Sequence, residues 1–241
     1  MARISRWAFL LCGCLMAAIW PGCETARAQS AKPAVSPQPA RVIFDTDMYT
    51  DIDDMLALAM LHALEDRGEL KLLAVTVCTE AASAVAYVDL VNRFYGHPVP
   101  IGLIRGGITP ARFEQPLFDR IPHPWAPNGV NYTAAIAALT DEQGRPRFPH
   151  PTKPEEAITL LRRTLARQPD ASVTIVMVGY ATNMARLLDS KPDAASPLDG
   201  RELVRRKVRL LSTMAGNFEN QDRPEFNVVL DVATAQRVFR D

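Results

Sequence analysis

The stretch Phe44-Asp45-Thr46-Asp47-Met48-Tyr49-Thr50-Asp51-Ile52-Asp53-Asp54 places five carboxylates between Asp45 and Asp54. Like charges at this density repel one another and are costly unless a cation offsets them. Hard oxygen ligands in such number favour Ca²⁺ or Mg²⁺ over zinc. A plainer role for Asp53 and Asp54 is to cap the helix that follows, whose N-terminus favours negative charge. Capping leaves Asp45 and Asp47 unexplained, because they stand on the strand side of the loop, so the cluster is read as a metal site.

The flanking elements set where that site must lie. Val42, Ile43 and Phe44 give the strand opening at Arg41 a continuous apolar run, as suits a strand buried on both faces of a parallel sheet. Ligands of open α/β sheets bind just beyond the carboxyl ends of such strands, which is where the aspartates begin. From Asp53 the apolar spacing turns helical (Met55, Leu56, Ala59, Met60, Ala63) until Gly68. A strand at Leu72–Val77, a helix over 82–95 and a strand at Val99–Ile104 follow. Prolines then break the rhythm over 105–152, which reads as a long excursion over the strand ends, of the kind that often forms lids. It resumes with a helix at Pro154–Arg167, a strand at Val173–Val178, a helix at Thr182–Leu188, a strand at Val208–Met214 and a helix at Val232–Phe239. This alternation predicts an α/β fold with a doubly wound, mostly parallel sheet, helices on both faces and a Rossmann-like core.

The N-terminus reads as a segment removed on export. Arg3 and Arg6 precede an uncharged run from Trp7 to Ile19, and Ala26-Arg27-Ala28 offers the small residues that a signal peptidase reads. We expect a signal peptide over 1–28, cleaved after Ala28, and a periplasmic or secreted protein. Cys23 after Gly22 offers a lipid anchor as the alternative. Residues 29–40, rich in Pro, Ala and Ser, read as a flexible linker, and 41–241 as one domain. Cys12, Cys14 and Cys23 fall in the leader, so the processed chain keeps Cys78 alone and forms no internal disulfide. Lys plus Arg equals Asp plus Glu at 27 each, which gives no basic footprint for nucleic acid.

Spacing separates the metal motifs. An EF-hand loop starting at Asp45 requires an oxygen ligand, glycine and glutamate where the chain has Tyr49, Thr50 and Leu56, so that reading fails. A haloacid-dehalogenase-like phosphatase also begins with a strand ending in Asp-x-Asp, but it carries threonine where Tyr49 stands here. It remains an alternative. The pattern Asp45-Thr46-Asp47, Asp53-Asp54, Met55-Leu56-Ala57-Leu58 resembles the N-terminal fingerprint of the inosine–uridine-preferring nucleoside hydrolase family, in a longer variant with two extra residues in the loop. Gly179-Tyr180-Ala181-Thr182-Asn183-Met184-Ala185 resembles that family's Gly-x-x-Thr-Asn-x-Ala turn, and Glu225-Phe226-Asn227, followed by Asp231, resembles its Glu-Phe-Asn segment.

The resemblance implies calcium-dependent hydrolysis of the N-glycosidic bond of ribonucleosides, giving ribose and a free base for salvage. It implies Ca²⁺ held by Asp47, Asp54 and the Thr182 carbonyl, and Asp47 as general base. Asp53, Asn217, Glu225 and Asn227 would bind the sugar, with Asp45 orienting its neighbours from behind. It also implies a homo-oligomer. Glu80 stands in a region where the family carries a sugar-binding asparagine. The family places a further aspartate ligand, and often a histidine acid, well beyond the Glu-Phe-Asn segment, whereas this chain has 14 residues after Asn227. The expectation is therefore a domain whose C-terminal part is missing. His62, His97, His123 and His150 do not match that acid and are expected to be surface or packing residues. A non-catalytic, metal-dependent sugar or nucleoside binder is the rival from another class.

Overall fold

A computed structural model describes residues 38–49, 51–113, 131–148, 154–219 and 224–240. The expected leader, its cleavage point and nearly all of the linker lie outside them. The described elements are β1 (Ala40–Thr46), α1 (Asp53–Asp66), β2 (Leu70–Thr79), α2 (Ala82–Phe94), β3 (Ile101–Ile108), α3 (Pro110–Phe113), α4 (Tyr132–Ala137), β4 (Glu155–Glu156), α5 (Ala157–Ala166), β5 (Val173–Met177), α6 (Thr182–Asp189), α7 (Gly200–Lys207), β6 (Val208–Thr213), α8 (Phe226–Leu230) and α9 (Val232–Arg240).

The six strands form one parallel sheet in the order β4-β3-β2-β1-β5-β6. The chain winds outward from β1 through β2 and β3 to β4, then returns to place β5 on the other flank of β1. The expected doubly wound fold is therefore what forms, and its winding reverses between β1 and β5. At such a switch point the loops leave in opposite directions and open a crevice at the carboxyl ends of the strands.

Helices cover both faces because β1 alternates its side chains between two cores. Val42 and Phe44 join Leu58 and Leu61 of α1 and Val85 and Val88 of α2. Ile43 points the other way, to Leu160, Leu161 and Leu165 of α5 and Met184 and Leu187 of α6. Each such side chain, fully buried, stabilises the fold by about 1.5–3 kcal/mol relative to exposure. On this second face Arg162 of α5 is buried, and its guanidinium donates to Asp193, Ser190 and the carbonyls of Ser196 and Leu198.

The structure differs from the sequence reading in a few elements. β3 runs on to Ile108, into the expected excursion. The helix expected from Pro154 begins at Ala157, because Glu155 and Glu156 pair with β3 and Glu156 then accepts from the Thr159 amide at 2.8 Å as an N-cap. Helix α7 has no counterpart in the sequence reading: GRELVRRK is mostly charged, buries Gly200 and Leu203, and packs Val204 beside them. Its signal was Asp199, whose carboxylate accepts from the Glu202 amide at 2.9 Å, a capping arrangement that three-residue spacing advertises. Part of the excursion, 114–130, lies outside the described residues.

Candidate functional site

Asp45, near the end of β1, is fully buried. Its Oδ1 accepts from Thr76 Oγ1 of β2 and, at 2.7 Å, from Asn183 Nδ2 of α6. Burial pushes its carboxyl up to about 7, against the pull of those two donors. The residue thus stitches β1, β2 and α6 together directly behind the loop.

Two residues on, Asp47 is half-buried and meets Asp54, which the first turn of α1 carries inward. The two carboxyls hydrogen-bond to each other. Burial, then repulsion from Asp54 and Asp51, drives Asp47 well above the usual carboxylate range. Asp54 is pushed up to about 7, chiefly by burial and further by Asp53 and Asp51, while its bond to Asp47 opposes the shift. Without a cation such a pair shares a proton between its oxygens, a proton that a cation within reach of both would replace. Asp51 and Asp53 are exposed, and each brings a carboxylate oxygen within 4.8 Å of one from Asp54. Ile52 occupies the N-cap position and makes no side-chain cap, while Asp53 and Asp54 stand in the first turn of α1, where negative charge is favoured; that leaves Asp47 and Asp51 unexplained. An all-oxygen donor set with the charge still unbalanced fits a hard divalent cation.

The end of β5 closes the other side of the crevice. A Cβ on Gly179 would lie 2.7 Å from the Asp47 amide nitrogen and from Cys78 Sγ, and 2.9 Å from Asp47 Cβ. Only a glycine lets the two strand ends approach this closely. Thr182 opens α6, buried, and its Oγ1 donates to Asp231 Oδ2 at 2.6 Å. Glu225 is not the plain surface charge it could have been: it caps α8, accepting from the amides of Asn227 at 2.8 Å and Val228 at 3.0 Å. It also accepts from the Gly216 amide at 3.2 Å, which brings the loop holding Asn217 alongside. Asn227 is buried, and its Nδ2 donates to the carbonyls of Val178 at 2.8 Å and Met214 at 3.0 Å, bridging the ends of β5 and β6.

The order of these features along the chain matches a known profile, that of the inosine-uridine preferring nucleoside hydrolases, over residues 42–241. The chain belongs to that family. Comparison with curated protein sequences gives no significant match. Solved structures similar in fold include a plant nucleoside hydrolase, PpNRh1, at 22% identity and a TM-score of 0.56, covering 83% of this chain and 57% of that one. The type III effector protein XopQ, complexed with adenosine diphosphate ribose, follows at 19% and 0.58, covering 85% and 53%. A purine-preferring ribonucleoside hydrolase from Gardnerella vaginalis gives 19% and 0.51, covering 83% and 57%. This chain therefore spans a little over half the length of those structures. Family membership sets aside the phosphatase reading.

In this nucleoside hydrolase chain the structure adds residues that the motifs did not single out for the site. Asn183 is fully buried, and it anchors Asp45. Thr79 donates to the Asp47 carbonyl at 3.2 Å and meets the Tyr180 hydroxyl at 2.6 Å, which fixes the loop from below. Tyr132 of α4 returns from the excursion to the cluster: burial and the charges of Asp54, Tyr87, Asp51 and Asp53 all raise its hydroxyl's pKa. That hydroxyl is buried with no hydrogen-bond partner among the described residues. No spacing pointed to it. Glu80 accepts from the Gly107 amide at 3.2 Å, and its own amide donates to the Ile108 carbonyl at 2.8 Å, so it ties β2 to β3. Cys78 is buried, and burial first, then the neighbouring aspartates, pushes its thiol far up and leaves it inert.

Proposed function

We propose that this protein hydrolyses the N-glycosidic bond of ribonucleosides, with Ca²⁺ held by Asp47, Asp54 and the carbonyl of Thr182. The observation that carries the proposal is the hydrogen-bonded Asp47–Asp54 pair at the β1–β5 switch point, in a chain of this family. Ca²⁺ bound there would align the ribose hydroxyls and lower the pKa of a water beside them.

The chain's own residues supply the rest. Asp47 accepts the proton of the attacking water at its carboxylate. Asp53, exposed at the head of α1, accepts from a ribose hydroxyl, with Asn217, Glu225 and Asn227 around the other side of the sugar. Their oxygens face the positive charge that develops at the anomeric carbon and stabilise it more than the neutral substrate. Asp45 keeps Asn183 and the loop in place without touching the sugar.

The test is ribose release from inosine and from uridine with calcium present. The wild-type chain should release ribose, and Asp47→Asn should lose that release while still binding calcium more weakly. The binder reading draws on one observation: the side chains of Glu225 and Asn227 are engaged by backbone groups. Inosine binding without any ribose release would establish that reading and overturn ours. The proposal extends to an exported protein that begins near Gln29 and assembles as a homo-oligomer. Among the described residues no helix is long and apolar enough to cross a membrane.

A further inference from the structure

His62, Glu65 and His97 converge at the end of α1 opposite the aspartates. His62 is fully buried, and its Nε2 lies 2.8 Å from Asn92 Oδ1. The Asn92 amide nitrogen is turned to the Val99 carbonyl at 3.4 Å, which leaves the amide oxygen facing the imidazole. Nε2 is therefore the protonated nitrogen and Nδ1 carries the lone pair. That Nδ1 is buried with no hydrogen-bond partner among the described residues, and it faces Glu65 Oε2 at 3.9 Å, too far for a hydrogen bond.

His97, in the turn after α2, stacks on His62 with ring centroids 5.4 Å apart and planes 10° from parallel. Its Nε2 lies 2.7 Å from Asp66 Oδ1. A carboxylate behind an imidazole is the arrangement that orients metal-binding histidines. The Glu65 side chain is only 6% exposed, with Lys71 Nζ 2.7 Å from its Oε1. One ligand atom from each of His62, Glu65 and His97 lies within 4.8 Å of the other two. A surface cavity lined by His97, Lys71 and Pro98 opens beside them.

We propose that His62, Glu65 and His97 form a second metal site, of the kind zinc occupies, which clips the C-terminal end of α1 to the α2–β3 turn. Two imidazole nitrogens and one carboxylate suit zinc, whereas the all-oxygen cluster at the head of the helix suits a hard cation. The fourth position is left to water. At 1.5 Å per residue, His62 sits about 13 Å along α1 from Asp53, so the two sites are separate. His97, with 24% of its side chain exposed, turns inward to bring the ligands to the spacing of about 3.3 Å that a tetrahedral shell requires. Lys71, 65% exposed, is the cation that zinc displaces from Glu65.

The experiment titrates Zn²⁺ against a chromogenic chelator, using the whole chain in saturating Ca²⁺. His97→Ala, Glu65→Gln, Lys71→Met and Asp54→Asn are run alongside. We expect one zinc per chain, retained in Asp54→Asn, and a rise in melting temperature with zinc. Affinity should fall in His97→Ala and Glu65→Gln by more than about 100-fold, beyond the loss typical of removing an outer partner. It should rise several-fold in Lys71→Met, a gain that misfolding cannot mimic. Absence of bound zinc, unchanged affinity in His97→Ala, or zinc lost only in Asp54→Asn would each overturn the site.

Discussion

In Asp54→Asn the first turn of α1 keeps its shape but loses a carboxyl that burial pushes up to about 7 from an ordinary 3.8. Between those pH values the metal-free native state holds a proton that the unfolded chain has released, so stability falls as pH rises. The stability carried by the protonated form is in full force below pH 3.8 and is gone once pH has passed about 7. The slope is about 1.4 kcal/mol per pH unit, so this one group destabilises the metal-free wild type by about 3 kcal/mol between pH 5 and pH 8. Asparagine has nearly the same shape and cannot ionise. It also relieves Asp47, whose carboxyl Asp54 helps to raise. In EDTA at pH 8, Asp54→Asn should therefore be more stable than wild type by about 2–4 kcal/mol, which is roughly 4–16 °C in melting temperature for a chain of this size. At pH 5 the gap between the two should be narrower by about 3 kcal/mol. Calcium at a thousand times Kd reverses the order, since the wild type gains about 4.1 kcal/mol and the variant gains none. Thermal unfolding followed by circular dichroism at both pH values, with EDTA and with calcium, reads all of these. A variant no more stable than wild type at pH 8 in EDTA, or an equal calcium response in both, refutes the reasoning.

Gly179→Ala should destabilise the fold by about 1–3 kcal/mol through overpacking against Asp47 and Cys78, and should weaken the calcium response even though no ligand changes; a denaturant titration with and without calcium measures both. Asn183→Ala leaves Asp45 with Thr76 as its remaining side-chain donor, and should cost about 1–3 kcal/mol at pH 8, where that buried carboxyl is ionised, and less at pH 5. N-terminal sequencing of exported material should begin near Gln29, whereas a lipidated start at Cys23 would establish the anchored alternative.

The strands and the metal loop were legible because each left a strong local trace. Val42-Ile43-Phe44 reads as a strand buried on both faces, and five aspartates beside it do not occur without consequence. The switch at β1–β5 was not legible, since strand order is a property of pairing and not of any one segment. Helix α7 escaped because its sequence is mostly charged and its apolar anchors are the adjacent Leu203 and Val204, too few to show a helical period. Tyr132 escaped for another reason: it packs on Tyr87, within the aspartates' field, only after a proline-rich stretch, and nothing in Asn131-Tyr132-Thr133 records that return. His62 and His97, read singly, are surface or packing residues, yet the packing of α1 against the turn after α2 stacks one ring on the other.

The way Glu225 and Asn227 are held decides what they can offer a sugar. Both amide protons of Asn227 are engaged by the Val178 and Met214 carbonyls, which leaves Oδ1 as its only group for a ligand. Glu225 already accepts from three backbone amides, which nearly fills the four lone-pair sites of a carboxylate. Each can therefore present an acceptor and no donor. With a cation in place Asp47 is an acceptor too, and Asp53 adds a further exposed carboxylate beside it. On the function proposed above, a ribose held among them would donate its hydroxyl protons outward to the protein, which would leave its own oxygens more electron-rich. Such a ring would be better able to carry positive charge as the bond to the base breaks, and the fixed oxygens around it would favour that charge further. The same hydrogen bonds that tie α8 to the ends of β5 and β6 thus leave only acceptors facing outward, so the clasp and the proposed sugar contact would be two uses of one arrangement.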